Sequence, residues 1–140
     1  MRFVLDNSVV MRWLFADGSE ADLAYAAHVL QLLAQEEGAA IVPALWPLEA
    51  GNVIVRAEAK GLVPEARTAE FLGLLTDMSI SVDGHTAAHA LHDTMQLARR
   101  FRLSTYDASY LELALREGLP LATLDADLRN ALATTGGLLA

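Results

Sequence analysis

The chain has 140 residues, 54% of them hydrophobic and 20% charged, which suits one domain spanning 1–140 with a core of its own. It contains no cysteine, so disulfide scaffolds, thiolate metal sites and cysteine nucleophiles are excluded. The net charge of −8 excludes a protein that holds nucleic acid by bulk positive charge. It leaves room for an enzyme that gathers carboxylates and lets metal ions meet phosphates.

In chain order, Phe3-Val4-Leu5 reads as a short buried strand ending at Asp6, followed by a helix from Ser8 to Ala16. The apolar opening is broken by Asp6, Asn7 and Arg12, unlike a secretory leader. No run approaches the roughly 18 apolar residues of a membrane helix, so a cytoplasmic location away from membranes is expected. Helical spacing then runs over Glu20–Gln35, Pro47–Lys60, Pro64–Asp77, Thr86–Arg102 and Asp107–Glu117. Pro47 and Pro64 suit first turns, and Gly38, Gly61 and Gly118 suit helix ends. Between the helices lie apolar strand signals at Ile41-Val42, Ile80-Ser81-Val82 and Leu119–Thr123, with Gly137-Leu138-Leu139 as a fifth. Short buried strands alternating with helices predict an α/β three-layer sandwich around a parallel, roughly five-stranded sheet. In such sheets ligands bind beyond the carboxyl ends of the strands.

Four acids fall at that end. Asp6 follows the first strand and Asp125 the fourth, while Glu49 and Asp107 lie in first helical turns. Singly, each also fits a helix-capping or helix-dipole role, and Ser104 with Asp107 forms a capping pattern. Together they would repel, by about 4 kcal/mol per pair at ~4 Å and an effective dielectric near 20. A helix dipole offsets little of that, whereas Mg²⁺ or Mn²⁺ takes such oxygen ligands together with substrate phosphate.

Those residues also carry a resemblance. Val4-Leu5-Asp6-Asn7-Ser8 with Arg12-Trp13-Leu14 resembles the opening of PIN-domain ribonucleases, particularly the VapC-type toxins of toxin–antitoxin pairs. Pro43 through Val53, including Glu49 and Asn52, is similar to their second motif. Ser104-Thr105-Tyr106-Asp107-Ala108-Ser109-Tyr110-Leu111 resembles the third, and Leu121-Ala122-Thr123-Leu124-Asp125 the fourth. The resemblance implies a metal-dependent endoribonuclease with Asp6, Glu49, Asp107 and Asp125 as catalytic, metal-binding acids. It further implies an RNA substrate, a homodimer and a cognate antitoxin.

Other residues admit two readings. Ser8 either orients Asp6 or caps the following helix; Asn52 either supports Glu49 or faces solvent; Thr123 is placed to bond a carboxylate at the strand end. Asp127 is expected on the surface of the last helix. His85, His89 and His92 share a helical face in zinc-like spacing, but the same helix needs Ala88, Leu91, Met95 and Ala98 as its buried stripe, and a solvated histidine stripe is the expectation. Arg99, Arg100 and Arg102 serve either RNA phosphates or a helix C-terminus. Trp13, Phe15 and Trp46 are expected as core or interface anchors. Two rivals stand beside the nuclease: a catalytically silent PIN module that only binds, and a Mg²⁺-binding receiver-type domain. The receiver suffers from having Lys60 as its one lysine.

Overall fold

The computed structural model describes residues 1–140. Its elements in order are β1 (Arg2–Leu5), α1 (Asn7–Phe15), α2 (Glu20–Ala34), β2 (Ala39–Val42), α3 (Trp46–Ala59) and α4 (Glu65–Thr76). There follow β3 (Ile80–Val82), α5 (Thr86–Ala90), α6 (Asp93–Phe101), α7 (Thr105–Glu117), β4 (Leu121–Ala122) and α8 (Ala126–Thr134). All strand pairs are parallel, in the order β3-β2-β1-β4.

Strand alternation decides the layers. Phe3, Leu5, Ala40, Val42 and Ala122 point to one face, where they pack with residues of α1, α2 and α3 and with Phe71 of α4. Val4, Ile41 and Leu121 point to the other, against Tyr110, Leu111, Leu113 and Ala114 of α7 and Leu128, Ala131 and Leu132 of α8. Trp46 packs against both groups from the sheet end, as the anchor expected of it, and Trp13 and Phe15 border the first. Trp13 also donates its indole N–H to the Ala26 carbonyl at 2.8 Å.

The sheet has four strands rather than five. Leu139 forms a single parallel bridge to Leu121, and Leu138 and Leu139 are exposed. With no helix covering them, extending that edge would bury too little apolar surface to offset the ordering of more chain. The order β3-β2-β1-β4 also differs from the 2-1-3-4-5 order of receiver-type domains, which removes that reading.

A second departure lies at Thr86–Arg102, where one helix was expected. The chain breaks at Leu91 and His92 into α5 and α6. What α6 turns inward is Thr94 and Ala98, with Leu97 and Phe101 half-buried beside them. Of the expected stripe, Ala98 is buried and Met95 half-buried on α6, while Ala88 and Leu91, before and at the break, are exposed. The three histidines consequently share no helical face: His85 precedes α5, His89 lies within it, and His92 occupies the break.

Two glycines act through particular geometry. Gly118 ends α7 in the left-handed region at φ 63°. Gly38, between α2 and β2, has ordinary φ, but a Cβ there would lie 2.2 Å from the Leu32 carbonyl oxygen. No helix is long and apolar enough to cross a membrane.

Candidate active site

Two connections leave β1 towards β2 and β3 on one side, and the chain returns to place β4 on the other. The crevice beyond the carboxyl ends of β1 and β4 is therefore the switch point of the sheet, where open α/β sheets bind ligands. Asp6 emerges from β1 at this point and Thr123-Leu124-Asp125 from β4.

The two loops are laced together. Asp6 donates its backbone N–H to the Ala122 carbonyl at 2.9 Å. Its Oδ2 accepts from Ser8 Oγ at 2.6 Å and from Thr123 Oγ1 at 2.8 Å. Ser8 Oγ in turn accepts from Leu124 N at 3.0 Å, and Thr123 Oγ1 from Asp125 N at 3.0 Å. Ser8 thus orients Asp6 and does not cap α1, whose N-cap position makes no side-chain bond. Thr123 bonds the carboxylate of Asp6, not that of Asp125. Asp125 does cap α8, its Oδ2 accepting from Leu128 N at 2.8 Å.

Glu49 projects from the first turn of α3 and Asp107 from the first turn of α7, where Ser104 caps the helix through Asp107 N. Glu49 Oε1 accepts from Tyr110 Oη at 2.6 Å. Asn52 is exposed and makes no side-chain hydrogen bond, so the solvent-facing reading holds and Tyr110 is what steadies Glu49. Tyr110 is fully buried, and the signal for it was in the sequence: a tyrosine on an inward helix face must find a partner for its hydroxyl. Burial, then the bond to Glu49, pushes that phenol far above its usual range.

The oxygens divide in a consistent way. Asp6, Glu49 and Asp125 each have one carboxylate oxygen held by protein donors and the other free, and the Asp107 carboxyl has only the Ser104 hydroxyl beside it. None of the four pairs with a lysine, arginine or histidine. Burial is the first cause of raised pKa values at Asp6, Glu49 and Asp107. Neighbouring acids add to it: Asp125 at Asp6; Asp6 and Asp107 at Glu49; Asp6, Asp125 and Asp127 at Asp107. Asp107 is pushed up to about 6. Asp127, though exposed on α8 as expected, thus contributes to the field of the cleft.

Mutual repulsion is therefore weaker than contact at ~4 Å would give, and desolvation is the larger penalty. The side chains whose possible ligand atoms do crowd within 4.8 Å of one another are His89, Asp93 and Glu112. Within that trio Glu112 is already engaged: Arg116 donates Nε to its Oε1 at 2.8 Å and Nη2 to its Oε2 at 3.1 Å, and Nη2 also reaches Asp83 Oδ2 at 2.7 Å. Asp83 follows β3 and is buried, with Thr86 Oγ1 and the His85 N–H as further donors. Burial alone would raise it, but these donors and Arg116 outweigh burial and hold it below the ordinary carboxylate range. A fifth acid at the same sheet edge is thus neutralised by the protein's own cation, and the other four are not. Arg99, Arg100 and Arg102 are exposed at the end of α6, and Arg100 stacks over Phe101 at 4.7 Å.

An all-oxygen set with a free oxygen on each acid, no protein cation and, at Asp6, Glu49 and Asp107, raised proton affinity fits a hard divalent cation. The donors on Asp6 and Glu49 are the outer hydrogen bonds that aim such ligands. The PIN domain family model matches residues 3–132. No curated protein matches the chain. Among solved structures, the crystal structure of PAE2754 from Pyrobaculum aerophilum is similar over 99% of this chain and 88% of that one, with 26% identity and a TM-score of 0.68. A family match over nearly the whole length, on a parallel sheet with its acids at the switch point, makes this chain a member of the PIN domain family, a family generally of metal-dependent nucleases that act on RNA.

Proposed function

We propose that the protein is a divalent-metal-dependent endoribonuclease of the VapC toxin type, hydrolysing RNA phosphodiester bonds. The observation that supports this most is the contrast along one sheet edge. Asp83 is matched by Arg116, while Asp6, Glu49, Asp107 and Asp125 are left with free oxygens and no cation.

In this reading the four acids hold Mg²⁺ or Mn²⁺, which when bound supplies a lowered water pKa and charge stabilisation at the phosphate. The chain's own residues do the positioning. Ser8 and Thr123 fix the Asp6 carboxylate by one oxygen and leave the other without a side-chain donor. Tyr110 does the same for Glu49, and the Leu128 N–H for Asp125. A site pinned this way is aimed before the substrate arrives, which is where electrostatic catalysis gains most. The toxin role, the antitoxin and the homodimer rest on the motif resemblance.

The test is Asp6→Asn, which removes ligand charge but little volume. It should abolish Mn²⁺-dependent cleavage of RNA while circular dichroism stays that of the wild type. Wild-type cleavage by purified Asp6→Asn protein would refute the assignment.

A further inference from the structure

A cavity of about 460 Å³ lies between the α5–α6 break and the start of α7. It adjoins the acidic cleft through two chain neighbours. Leu45 on its wall stands one helical turn before Glu49, and Tyr106 is the residue before Asp107. Tyr106 is 65% exposed, the one exposed aromatic side chain of the protein. Its backbone is held by Ser109, whose hydroxyl donates to the Tyr106 carbonyl at 2.6 Å. Leu91, 77% exposed because the helix breaks there, forms another wall. Thr94 also lines the cavity, is 3% exposed, and makes no side-chain hydrogen bond.

No lining residue is charged, in a chain of net charge −8 and beside four acids. A phosphate has nothing to bind there. A planar, neutral group with a polar edge does: an aromatic face to stack on, apolar walls, and the Thr94 hydroxyl, which no side-chain hydrogen bond engages. The volume falls in the roughly 300–1,000 Å³ range of small-ligand sites. We infer that this cavity seats one unstacked nucleobase of a single-stranded RNA whose phosphate backbone runs through the acidic cleft, with Tyr106 as the stacking platform. The inference rests on the nuclease reading for its substrate and adds to it a residue that sets where the strand is gripped. Single-stranded RNA is commonly bound in this way, by bases splayed onto aromatic side chains.

The test combines cleavage kinetics with a binding signal that needs no cleavage. A short single-stranded oligoribonucleotide carries 2-aminopurine at successive positions, and its emission is read on rapid mixing. For the wild type, quenching is expected at one register. Tyr106→Ala should lose the quench and raise KM by about 5- to 150-fold with kcat little changed, and Tyr106→Phe should retain both. An unchanged KM and quench in Tyr106→Ala would overturn the inference while leaving the nuclease reading intact. A wild-type dimer that becomes a monomer on Tyr106→Ala substitution, by sedimentation, would also overturn it, since a second copy would then be the occupant. Should the wild type cleave no RNA, the nuclease reading fails, and the quench comparison alone decides whether the cavity holds a base.

Discussion

Asp107 carries unmatched charge in the cleft, and Asp107→Asn measures it. Its carboxyl is displaced from 3.8 to about 6 by burial first and then by Asp6, Asp125 and Asp127. A displacement of that size corresponds to at most about 3 kcal/mol of destabilisation when the group is ionised. The side chain is half-buried, and solvent screening brings this to about 1–2 kcal/mol. Against it, the variant loses a negative charge in the first turn of α7, a favourable term of about 0.3–1 kcal/mol. The net expectation without divalent ions is a gain of about 1 kcal/mol, or roughly 3–5 °C in Tm for a chain of this size.

The pH dependence fixes the cause. The folded pKa lies above the unfolded one, so between 3.8 and about 6 the folded protein keeps a proton that the unfolded chain has released. Wild-type stability therefore falls as pH rises through that window. The advantage of Asp107→Asn should be full above about 6 and vanish below about 3.8. Divalent ion reverses the ranking: bound only to the native state, at a hundred times its Kd, it adds about 2.7 kcal/mol to the wild type and less to the variant. Scanning calorimetry in EDTA and in Mn²⁺, at pH 4 and pH 8, reads all four cases. Equal melting of the two proteins at pH 8 in EDTA, or an equal response to Mn²⁺, would refute the reasoning.

Tyr110→Phe should lower cleavage by about 10- to 100-fold, the usual effect of losing an outer partner of a metal-binding carboxylate. Because the Tyr110 bond holds the Glu49 pKa down, the acid limb of the rate–pH profile should also move upward; an unmoved limb would count against the role. Gly38→Ala should cost about 1–3 kcal/mol, read as a lower urea midpoint at unchanged slope, because its Cβ meets backbone that cannot move aside. The double variant His89→Ala/His92→Ala should keep cleavage and stay within about 0.5 kcal/mol of wild-type stability. Glu112 retains Arg116 when His89 is gone, so a folded but inactive double variant would bring the histidines into the mechanism.

What could be read from the sequence follows the range over which each feature is determined. Asp6 directly follows an apolar strand and Asp125 comes three residues after another, so placing the strands places the acids, and the layer order follows from alternation along β1 and β2. Glu49 and Asp107 needed only their helix starts, marked by Pro47 and Ser104. Features set by tertiary packing were out of reach. The break at Leu91 and His92 leaves Ala88 and Leu91 exposed while Ala98 is buried, and an apolar spacing that runs evenly through it does not mark it. The fifth strand signal at Gly137-Leu138-Leu139 is sound local chemistry on an edge that nothing covers. Crowding of charge looked decisive in one dimension; in three, burial outweighs it, and what separates Asp83 from the other acids is an arginine 33 residues further along.

The hydrogen bond from Thr123 to Asp6 joins residues 117 apart in sequence, and Ser8 meets the Leu124 backbone across 116. Closing so long a loop is entropically costly and comes late among the contacts a chain can make. During synthesis the first motif leaves the ribosome long before the residues that orient it. Until residue 123 has emerged and β4 has paired with β1, Asp6 has no Thr123 donor and the switch-point crevice has only one wall. A growing chain therefore keeps its acids scattered until β4 has emerged and paired, and the cleft between the two loops takes shape only then.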